Sequence, residues 1–190
     1  MDVSPCPWEA ARDYVSRGLW IVAIQWTLPG GRCSCGEPGC LTPGKHLRSP
    51  WATLRGDVLA EWRLRWPLAN VGLLTGRRNG FVVIDVDPAE GGVATLRRLE
   101  RRFGLLPEGP EVRTGGGGRH LYFRHPGGTL PSRNDWHPGL DLRGDRGYVV
   151  APPSRHRTGR RYAWVRPLGD RPPPPLPFRW LDLWAERRVR

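Results

Sequence analysis

The sequence predicts an α+β protein with a mainly antiparallel sheet, and three observations lead to this class. Short apolar segments bounded by Gly and Pro follow one another from residue 70 onward, a pattern typical of strands joined by hairpins. One helical pattern, at residues 93–103, interrupts them and predicts a β-α-β unit. The hydrophobic share of 38% and the ten Trp residues are enough for a packed core in a chain of 190 residues.

The elements before residue 70 are two helices, a strand and a loop. A Pro near its start and a Gly at its end delimit a first helix over residues 7–18, and the apolar residues 19–26 predict a strand. Residues 29–50 are rich in Gly, Pro and Cys, which disfavours regular structure. A second helix is predicted at residues 57–66, because a Pro follows it directly.

The elements after residue 70 are mostly strands. The helix at 93–103 lies between the second and third of them, and a stiff polyproline stretch at 172–177 precedes a last amphipathic helix at 178–188. The strands are predicted at residues 70–75, 81–87, 111–114, 120–125, 140–144, 147–151 and 161–165.

The charge of the chain favours a polyanionic partner. The 30 basic residues exceed the 18 acidic ones and give a formal net charge of +12, and nucleic acid is the commonest partner of such a surface. All the basic residues except Lys45 are Arg. Because that ratio is typical of GC-rich coding, only part of the charge is attributed to a ligand.

The sequence contains no sign of a membrane segment. No apolar run approaches the length of a membrane span, and the first ten residues lack the basic and apolar regions of a signal peptide. We therefore expect a cytoplasmic protein with no membrane partner.

Two acids interrupt the apolar strand at residues 81–87. Asp85 and Asp87 are two residues apart, so they project from the same face of a strand, about 6–7 Å apart. Like charges at this spacing repel unless a cation neutralises them, and Mg²⁺ and Mn²⁺ prefer such oxygen ligands. The alternative is a solvated strand end.

A glycine-rich segment and a third acid follow. Residues 115–118 are all Gly, and Arg119 and His120 come directly after them. Consecutive glycines expose backbone N–H groups that can approach a phosphate; a plain hairpin turn is the alternative. Asp141 lies in an apolar strand pattern on the same face as Arg143, which suits a metal and a phosphate or, alternatively, a buried ion pair.

The Cys-rich loop has the ligand types of a zinc site. Cys33, Cys35, Cys40 and His46 give the spacing C-x-C-x4-C-x5-H, and four such ligands suit a structural tetrahedral Zn²⁺. Free thiols in an intracellular loop are the alternative. Gly39–Lys45 also fits a phosphate-loop pattern, but His46 stands where Ser or Thr is needed and no apolar strand precedes the segment, so we reject an ATPase.

In their order along the chain, these motifs resemble the archaeo-eukaryotic primase superfamily, and most closely its bifunctional DNA primase/polymerase amino-terminal (prim-pol) domain. The superfamily signatures are an apolar strand ending in two spaced acids, a small residue two positions before a His, and an apolar residue followed by an acid. Here they correspond to residues 81–87, 118–120 and 140–141. The likeness also includes 70-NVGLLTG-76, 141-DLRGDRGYVVAPPS-154 and the PGKH segment, and covers roughly residues 8–185.

The resemblance implies template-directed nucleotidyl transfer by a two-metal carboxylate mechanism. Asp85, Asp87 and Asp141 would hold Mg²⁺ or Mn²⁺, and His120 would contact the phosphates of an incoming dNTP or NTP. On physical grounds we add to this nucleotide site two arginines that could face the phosphates and three glycines of the turn whose backbone could approach them closely. The added residues are Arg119, Arg143, Gly116, Gly117 and Gly118.

The resemblance also implies the domain organisation and the partners. The chain would be a single prim-pol domain over residues 1–190. Its amino-terminal α/β lobe, about 1–69, would carry the zinc-knuckle-like Cys-rich loop 29–50, and its catalytic lobe, about 70–170, would contain an RRM-like sheet. The proline stretch and last helix occupy 171–190. The active site would lie in the cleft between the lobes. Single-stranded DNA template and primer are the expected partners. Larger relatives carry a helicase or helix-bundle domain after this region, so we expect primer extension rather than de novo priming, with a helicase or another replication protein as a further partner.

Two other functions stay open on the sequence. A non-catalytic single-stranded nucleic-acid-binding module could keep the fold, and the retained acids argue against that function without excluding it. A glycosyltransferase also uses Asp-x-Asp after an apolar strand, but it does not account for the Gly-Arg-His strand or for Asp141.

Overall fold

A computed structural model describes residues 6–185. This part of the chain folds into two antiparallel sheets and four α-helices, which confirms the predicted α+β class. The helices are α1 (Pro7–Ser16), α2 (Gly56–Arg65), α3 (Gly92–Phe103) and α4 (Phe178–Ala185). The strands are β1 (Ile21–Ile24), β2 (Asn70–Leu74), β3 (Phe81–Val86), β4 (Glu111–Arg113), β5 (Arg119–Arg124), β6 (Arg133–His137), β7 (Leu140–Arg143), β8 (Tyr148–Val150) and β9 (Ala163–Arg166).

The larger sheet has six strands in the order β6-β7-β3-β5-β4-β9. Strands β3 and β4 both pair antiparallel with β5, so they run parallel to each other with β5 between them. Helix α3 connects them, and the predicted β-α-β unit is therefore present in a split form.

The smaller sheet joins distant parts of the chain in the order β1-β2-β8. Strand β2 pairs with β1 on one side and with β8 on the other. The first predicted strand after residue 70 thus lies in the same sheet as β1, together with a strand from the second half of the chain. The division into lobes at residue 69 stays a prediction.

Strand alternation gives the larger sheet two buried faces. Val82, Ile84 and Val86 point to one side, where α3 and α4 cover them. Phe81 and Val83 point to the other side and share a core with α1, α2 and the smaller sheet. Asp85 is the next residue on this second face, so the first predicted acid lies on the side that faces the smaller sheet.

Strand β6 has no counterpart among the predicted elements. Its sequence, 133-RNDWH-137, is mostly polar, and it pairs only with β7 across a register shift, with Asp135 at φ 50°. A bulged edge strand has no alternating apolar pattern to predict it. The last helix is described as far as Ala185, and the predicted residues 186–188 lie outside the described part of the chain.

Candidate active site

Strand register brings three of the predicted site residues into one row. Asp85 on the central strand β3 is directly opposite Asp141 on β7 and directly opposite His120 on β5. Residues paired in this way project from the same face with Cβ atoms about 4.5–5.5 Å apart. Two acids and a histidine separated by more than twenty residues in the chain therefore lie side by side on the face toward the smaller sheet.

The two carboxylates of the row are partly exposed to solvent and repel each other electrostatically. Burial raises the pKa of Asp141, and the nearby negative charge of Asp85 raises it further, whereas Arg143 and a hydrogen bond from the Asp135 N–H lower it. Asp141 keeps 28% of its side-chain surface and Asp85 keeps 29%. A divalent cation bound between partly exposed, adjacent carboxylates would neutralise their repulsion, and such oxygen atoms are the ligands it prefers.

His120, the third residue of the row, is buried and has one ring nitrogen without a hydrogen-bond partner. Its Nε2 lies 3.7 Å from an oxygen of Asp85, its ring packs against Tyr162 at 5.8 Å between centroids, and its Nδ1 has no hydrogen-bond partner among the described residues. Burial lowers the pKa of His120, which Asp85 counteracts and Arg143 and Lys45 reinforce. A buried ring nitrogen without a partner is an uncommon, costly arrangement.

Asp87 lies just beyond the end of β3 and shapes the chain after it. Its Oδ1 accepts a hydrogen bond of 2.8 Å from the N–H of Ala89, which caps a short 3₁₀ turn. Its negative charge also raises the pKa of His156 and of Tyr162. The second acid of the pair is therefore near the row while one of its oxygens holds the turn.

Arg143 belongs to the same surface. It is on β7, two residues after Asp141, and its Nη2 donates to Asp141 Oδ2 at 2.5 Å while its Nη1 donates to Asn134 at 2.8 Å. The predicted cation is thus at the row, and its guanidinium is already engaged by a carboxylate and an amide.

The glycine turn packs closely at two of its four positions. A Cβ on Gly118 would lie 2.4 Å from the carbonyl oxygen of Val86, and one on Gly115 would lie 2.3 Å from Cβ of His156. Gly116 and Gly117 are exposed. The N–H groups of Gly117 and Gly118 already donate to Thr114, at 3.0 and 2.9 Å, so the turn offers fewer free donors than its composition indicates.

One family model covers most of the chain. The model of the family described as bifunctional DNA primase/polymerase, N-terminal, matches residues 11–179, a range that includes both sheets, the row and the Cys-rich loop. The chain belongs to this family. A search among curated proteins finds no match.

One predicted residue of the prim-pol site lies on the other side of the sheet. Arg119 precedes His120 and points to the opposite face, where its Nε donates to the buried Glu111 at 2.6 Å. Arg166 also pairs with Glu111. The structure therefore does not bring Arg119 to the row, and its predicted contact with a phosphate has no support from this arrangement.

The prim-pol domain also has a compact cluster of soft ligands in its Cys-rich loop. One ligand atom from each of the four predicted residues lies within 4.8 Å of the others. Cys33 Sγ is 3.3 Å and Cys40 Sγ is 3.6 Å from His46 Nε2, close to the spacing of about 3.5–3.8 Å that tetrahedral zinc imposes. The cluster consists of Cys33, Cys35, Cys40 and His46, and we refer to it as the knuckle.

The thiols of the knuckle are unequal. Burial raises the pKa of Cys33, but hydrogen bonds from the N–H groups of Cys35 and Gly44 outweigh it and lower the pKa to about 6. Burial and the neighbouring thiols Cys33 and Cys35 raise the pKa of Cys40. A thiolate at Cys33 is the form that binds a metal, so the arrangement fits a zinc ligand set.

Sequence reasoning missed a hairpin that borders the site. Residues 155–161 form this basic hairpin, in which His156 N–H donates to Arg160 O at 2.8 Å. The hairpin contacts the glycine turn through Thr158 Oγ1, which donates to Gly115 O at 2.9 Å. The signal in the sequence is the run 155-RHRTGRR-161, with a histidine among four arginines.

The described residues contain no helix that is long and apolar enough to cross a membrane.

Proposed function

We propose that this prim-pol domain transfers nucleotides to the 3′ end of a primer on a DNA template. The observation that carries the proposal is the cross-strand row Asp141–Asp85–His120, which combines carboxylates with a histidine on one face of the larger sheet. Membership of a primase/polymerase family supports nucleotidyl transfer as the reaction, and that family implies DNA and nucleotides as substrates.

Asp85, Asp87 and Asp141 are the proposed ligands of Mg²⁺ or Mn²⁺. The fit rests on the donor set, because adjacent carboxylates without a neutralising cation oppose each other's ionisation. Bound metal ions would activate the attacking hydroxyl and stabilise the charge on the transferred phosphate and the leaving pyrophosphate. The chain contributes the fixed spacing of the acids, which the hydrogen-bonded strands hold rigidly.

The nucleotide would lie between the row and the glycine turn. His120, whose Nε2 lies 3.7 Å from an oxygen of Asp85, is the proposed phosphate contact at the row. Arg143 would orient Asp141 and add positive charge at the row. The exposed Gly116 and Gly117 leave room for close approach, with Gly118 holding the turn against β3.

The larger sheet supports an RRM-like catalytic fold. Four of its strands, in the order β7-β3-β5-β4, correspond by chain order to 4-1-3-2, and a helix connects the first to the second. This arrangement presents the central strand β3 with neighbours on both sides. The acids at its end are therefore positioned by two ladders.

Primer extension with site variants tests the function. Purified protein, Mn²⁺ or Mg²⁺, a primed template and either dNTPs or NTPs should yield extended primer, and Asp85→Asn or Asp141→Asn should reduce the rate by at least about a thousandfold, because a ligand to the reacting centre is lost. Asp170→Asn is the matched control. Asp170 is exposed and follows β9, which is the edge strand at the end of the larger sheet opposite β6 and β7.

The alternative functions have their own outcomes. If the wild-type protein has no polymerase activity but binds single-stranded DNA without metal, the result would favour a non-catalytic binding module over an enzyme. Hydrolysis of a nucleotide sugar without use of dNTPs or NTPs would favour a transferase.

A further inference from the structure

The edge strand β6 bulges at the point where β7 carries Asp141. Between its pairings with Leu142 and with Leu140, β6 has residues 134–136 where β7 has Asp141 alone. A bulge of this kind interrupts the regular ladder and re-aims side chains, and bulges are frequent next to active sites. The irregular part of β6 therefore lies directly beside one acid of the row.

The backbone of the bulge bonds to the side chain of Asp141. The Asp135 N–H donates to Asp141 Oδ1 at 2.8 Å, and Asp135 has a φ of 50°, in the left-handed region that few residues other than Gly occupy. After Gly, Asn and Asp enter this region most readily. The residue type at position 135 therefore affects whether the backbone can turn its N–H toward the carboxylate.

A side chain of the bulge is linked to the second oxygen of Asp141 through Arg143. Arg143 Nη2 donates to Asp141 Oδ2 at 2.5 Å, and Nη1 of the same guanidinium donates to Asn134 Oδ1 at 2.8 Å. Because a guanidinium is planar and its donors are fixed relative to one another, the bond to Asn134 constrains the direction of the bond to Asp141. Asn134 itself is exposed, so its contact with Arg143 is not a consequence of core packing.

The third residue of the bulge anchors it in the apolar layer under α4. Trp136 is 4% exposed, its ring centroid lies 6.4 Å from that of Trp180, and its Nε1 donates to Leu183 O at 3.3 Å. The two exposed polar residues of the bulge are thus followed by a buried indole that holds this part of the edge strand in place.

Both oxygens of Asp141 are consequently held, one by a backbone donor and one by a charged side chain. Each carboxylate oxygen has two lone pairs, so one on each oxygen remains for a cation. Among the described residues the Asp85 carboxylate accepts no hydrogen bond, and its contact with His120 is 3.7 Å long. Asp141 is therefore the oriented acid of the pair, and groups that orient a metal ligand in this way strengthen metal binding.

We propose that the β6 bulge orients Asp141 for the divalent metal ion, with Asn134 as a positioning residue that acts through Arg143. This inference rests on the proposed metal-dependent nucleotidyl transfer and extends it to an edge strand that no apolar pattern predicts. The role of the bulge is to fix the direction in which Asp141 offers its remaining lone pairs.

Mn²⁺ binding without nucleotide or DNA, followed by electron paramagnetic resonance, tests the role of Asn134. Asn134→Ala should weaken Mn²⁺ binding about tenfold, the lower end of the effect of losing a group that orients a metal ligand. The Mn²⁺ concentration for half-maximal primer extension should rise by a similar factor, while the KM for primed template stays unchanged and the melting temperature stays within about 2 °C. Asn134→Asp keeps an acceptor oxygen for Arg143, so it should bind Mn²⁺ at least as tightly as the wild type.

A double variant and a matched pair of variants separate the two contacts. Asn134→Ala should have no further effect on Mn²⁺ binding in an Arg143→Met background, because Asn134 acts through that guanidinium. Asp135→Gly and Asp135→Val both remove the carboxylate, but Gly adopts a positive φ readily and a β-branched residue does not. Asp135→Val should therefore bind Mn²⁺ about tenfold more weakly than Asp135→Gly.

Several outcomes would overturn the inference. Unchanged or tighter Mn²⁺ binding by folded Asn134→Ala rejects it, as does an effect of Asn134→Ala that persists in the Arg143→Met background. Equal affinities of the two Asp135 variants reject it even if Asn134→Ala does not fold. A wild type that binds no Mn²⁺, or Asp141→Asn that binds it like the wild type, rejects the proposed metal site and this inference with it. Loss of Mn²⁺ in Asp141→Asn with full binding in Asn134→Ala rejects the inference alone.

Discussion

Glu111 is a buried carboxylate whose partners lie on the side of the larger sheet away from the row. Its side chain is 8% exposed and pairs with Arg119 and with Arg166. Burial of a charge is tolerated only when it is paired, and the arginines remain about four-tenths exposed. At the scale of single residues, this pair of contacts gives the arginine next to His120 a structural role on the side of the sheet away from the row.

Replacing Glu111 separates the two roles of Arg119. Glu111→Gln should lower the free energy of unfolding by about 1–3 kcal/mol, because both arginines lose their charged acceptor, while nucleotide affinity stays at the wild-type value. Urea unfolding and equilibrium binding measure the two quantities. A loss of affinity in Arg119→Met at unchanged stability would instead restore the phosphate contact predicted from sequence.

The hairpin of β4 and β5 shows how one element serves two neighbours. Its turn, residues 114–118, contacts β3 through Gly118 and the basic hairpin through Gly115. These glycines are required because the neighbouring chain is too close for a Cβ atom. The turn therefore connects the end of the central strand to the hairpin that carries His156.

Two alanine substitutions in this turn should have unequal effects on stability. Gly118→Ala places Cβ at 2.4 Å from a backbone oxygen that has no freedom to move, and it should cost about 1–3 kcal/mol. Gly116→Ala meets its nearest atom, in the His156 ring, at 3.4 Å and should leave the melting temperature within about 2 °C.

Thermal unfolding of both turn variants, followed by dNTP binding for those that fold, provides the measurement. If Gly116 is a point of close approach for phosphate, its alanine variant weakens binding at wild-type stability. Equal melting temperatures for the two variants would contradict the packing argument.

At the scale of the whole molecule, the smaller sheet packs against the same face of the larger sheet that holds the row. The chain carries a net charge of +12, and Trp51 is 64% exposed in the segment that follows the knuckle along the edge of β1. Exposed aromatic rings beside arginines are typical of surfaces that bind single strands by stacking and charge. The segment along the edge of β1 is therefore the expected path of the template.

Replacing Trp51 tests that path. Trp51→Ala should weaken binding of single-stranded DNA by about 1–3 kcal/mol, the contribution of one stacked base, and the affinity of the wild type should fall steeply as salt is raised. Phe178→Ala is the control, because Phe178 is 76% exposed but belongs to α4 on the other face of the larger sheet. Equal losses in the two variants, measured by fluorescence anisotropy, would place the DNA elsewhere.

The sequence predicts local structure better than it predicts which strands meet. The apolar runs of β2, β3, β5, β7 and β8 are short and well delimited, and the acids that interrupt them mark the site. The pairing of β8 with β2 depends on contacts between residues more than seventy positions apart, which no local pattern encodes.

The missing members of the site have the same explanation. Asn70, a buried polar residue with hydrogen bonds to two loops, joins Gly44 of the Cys-rich loop to Arg155 at the start of the basic hairpin. Neither Asn70 nor the hairpin has a distinctive local spacing, so patterns in the sequence indicate the carboxylates and His120 but not the hairpin that borders them.

The register of the larger sheet links correct folding to function. If β5 slipped by one residue against β3, His120 would turn into the apolar layer under α3 and α4, and Leu121 would stand beside Asp85. The same error would move an imidazole into an apolar layer, away from Asp85, and remove a core leucine from that layer, so it is penalised thermodynamically before any substrate is present. Natural variation in the lengths of β3, β5 and β7 is therefore expected to be confined to their outer ends, because an inserted residue within the ladder would separate the acids as surely as a mutation would remove one.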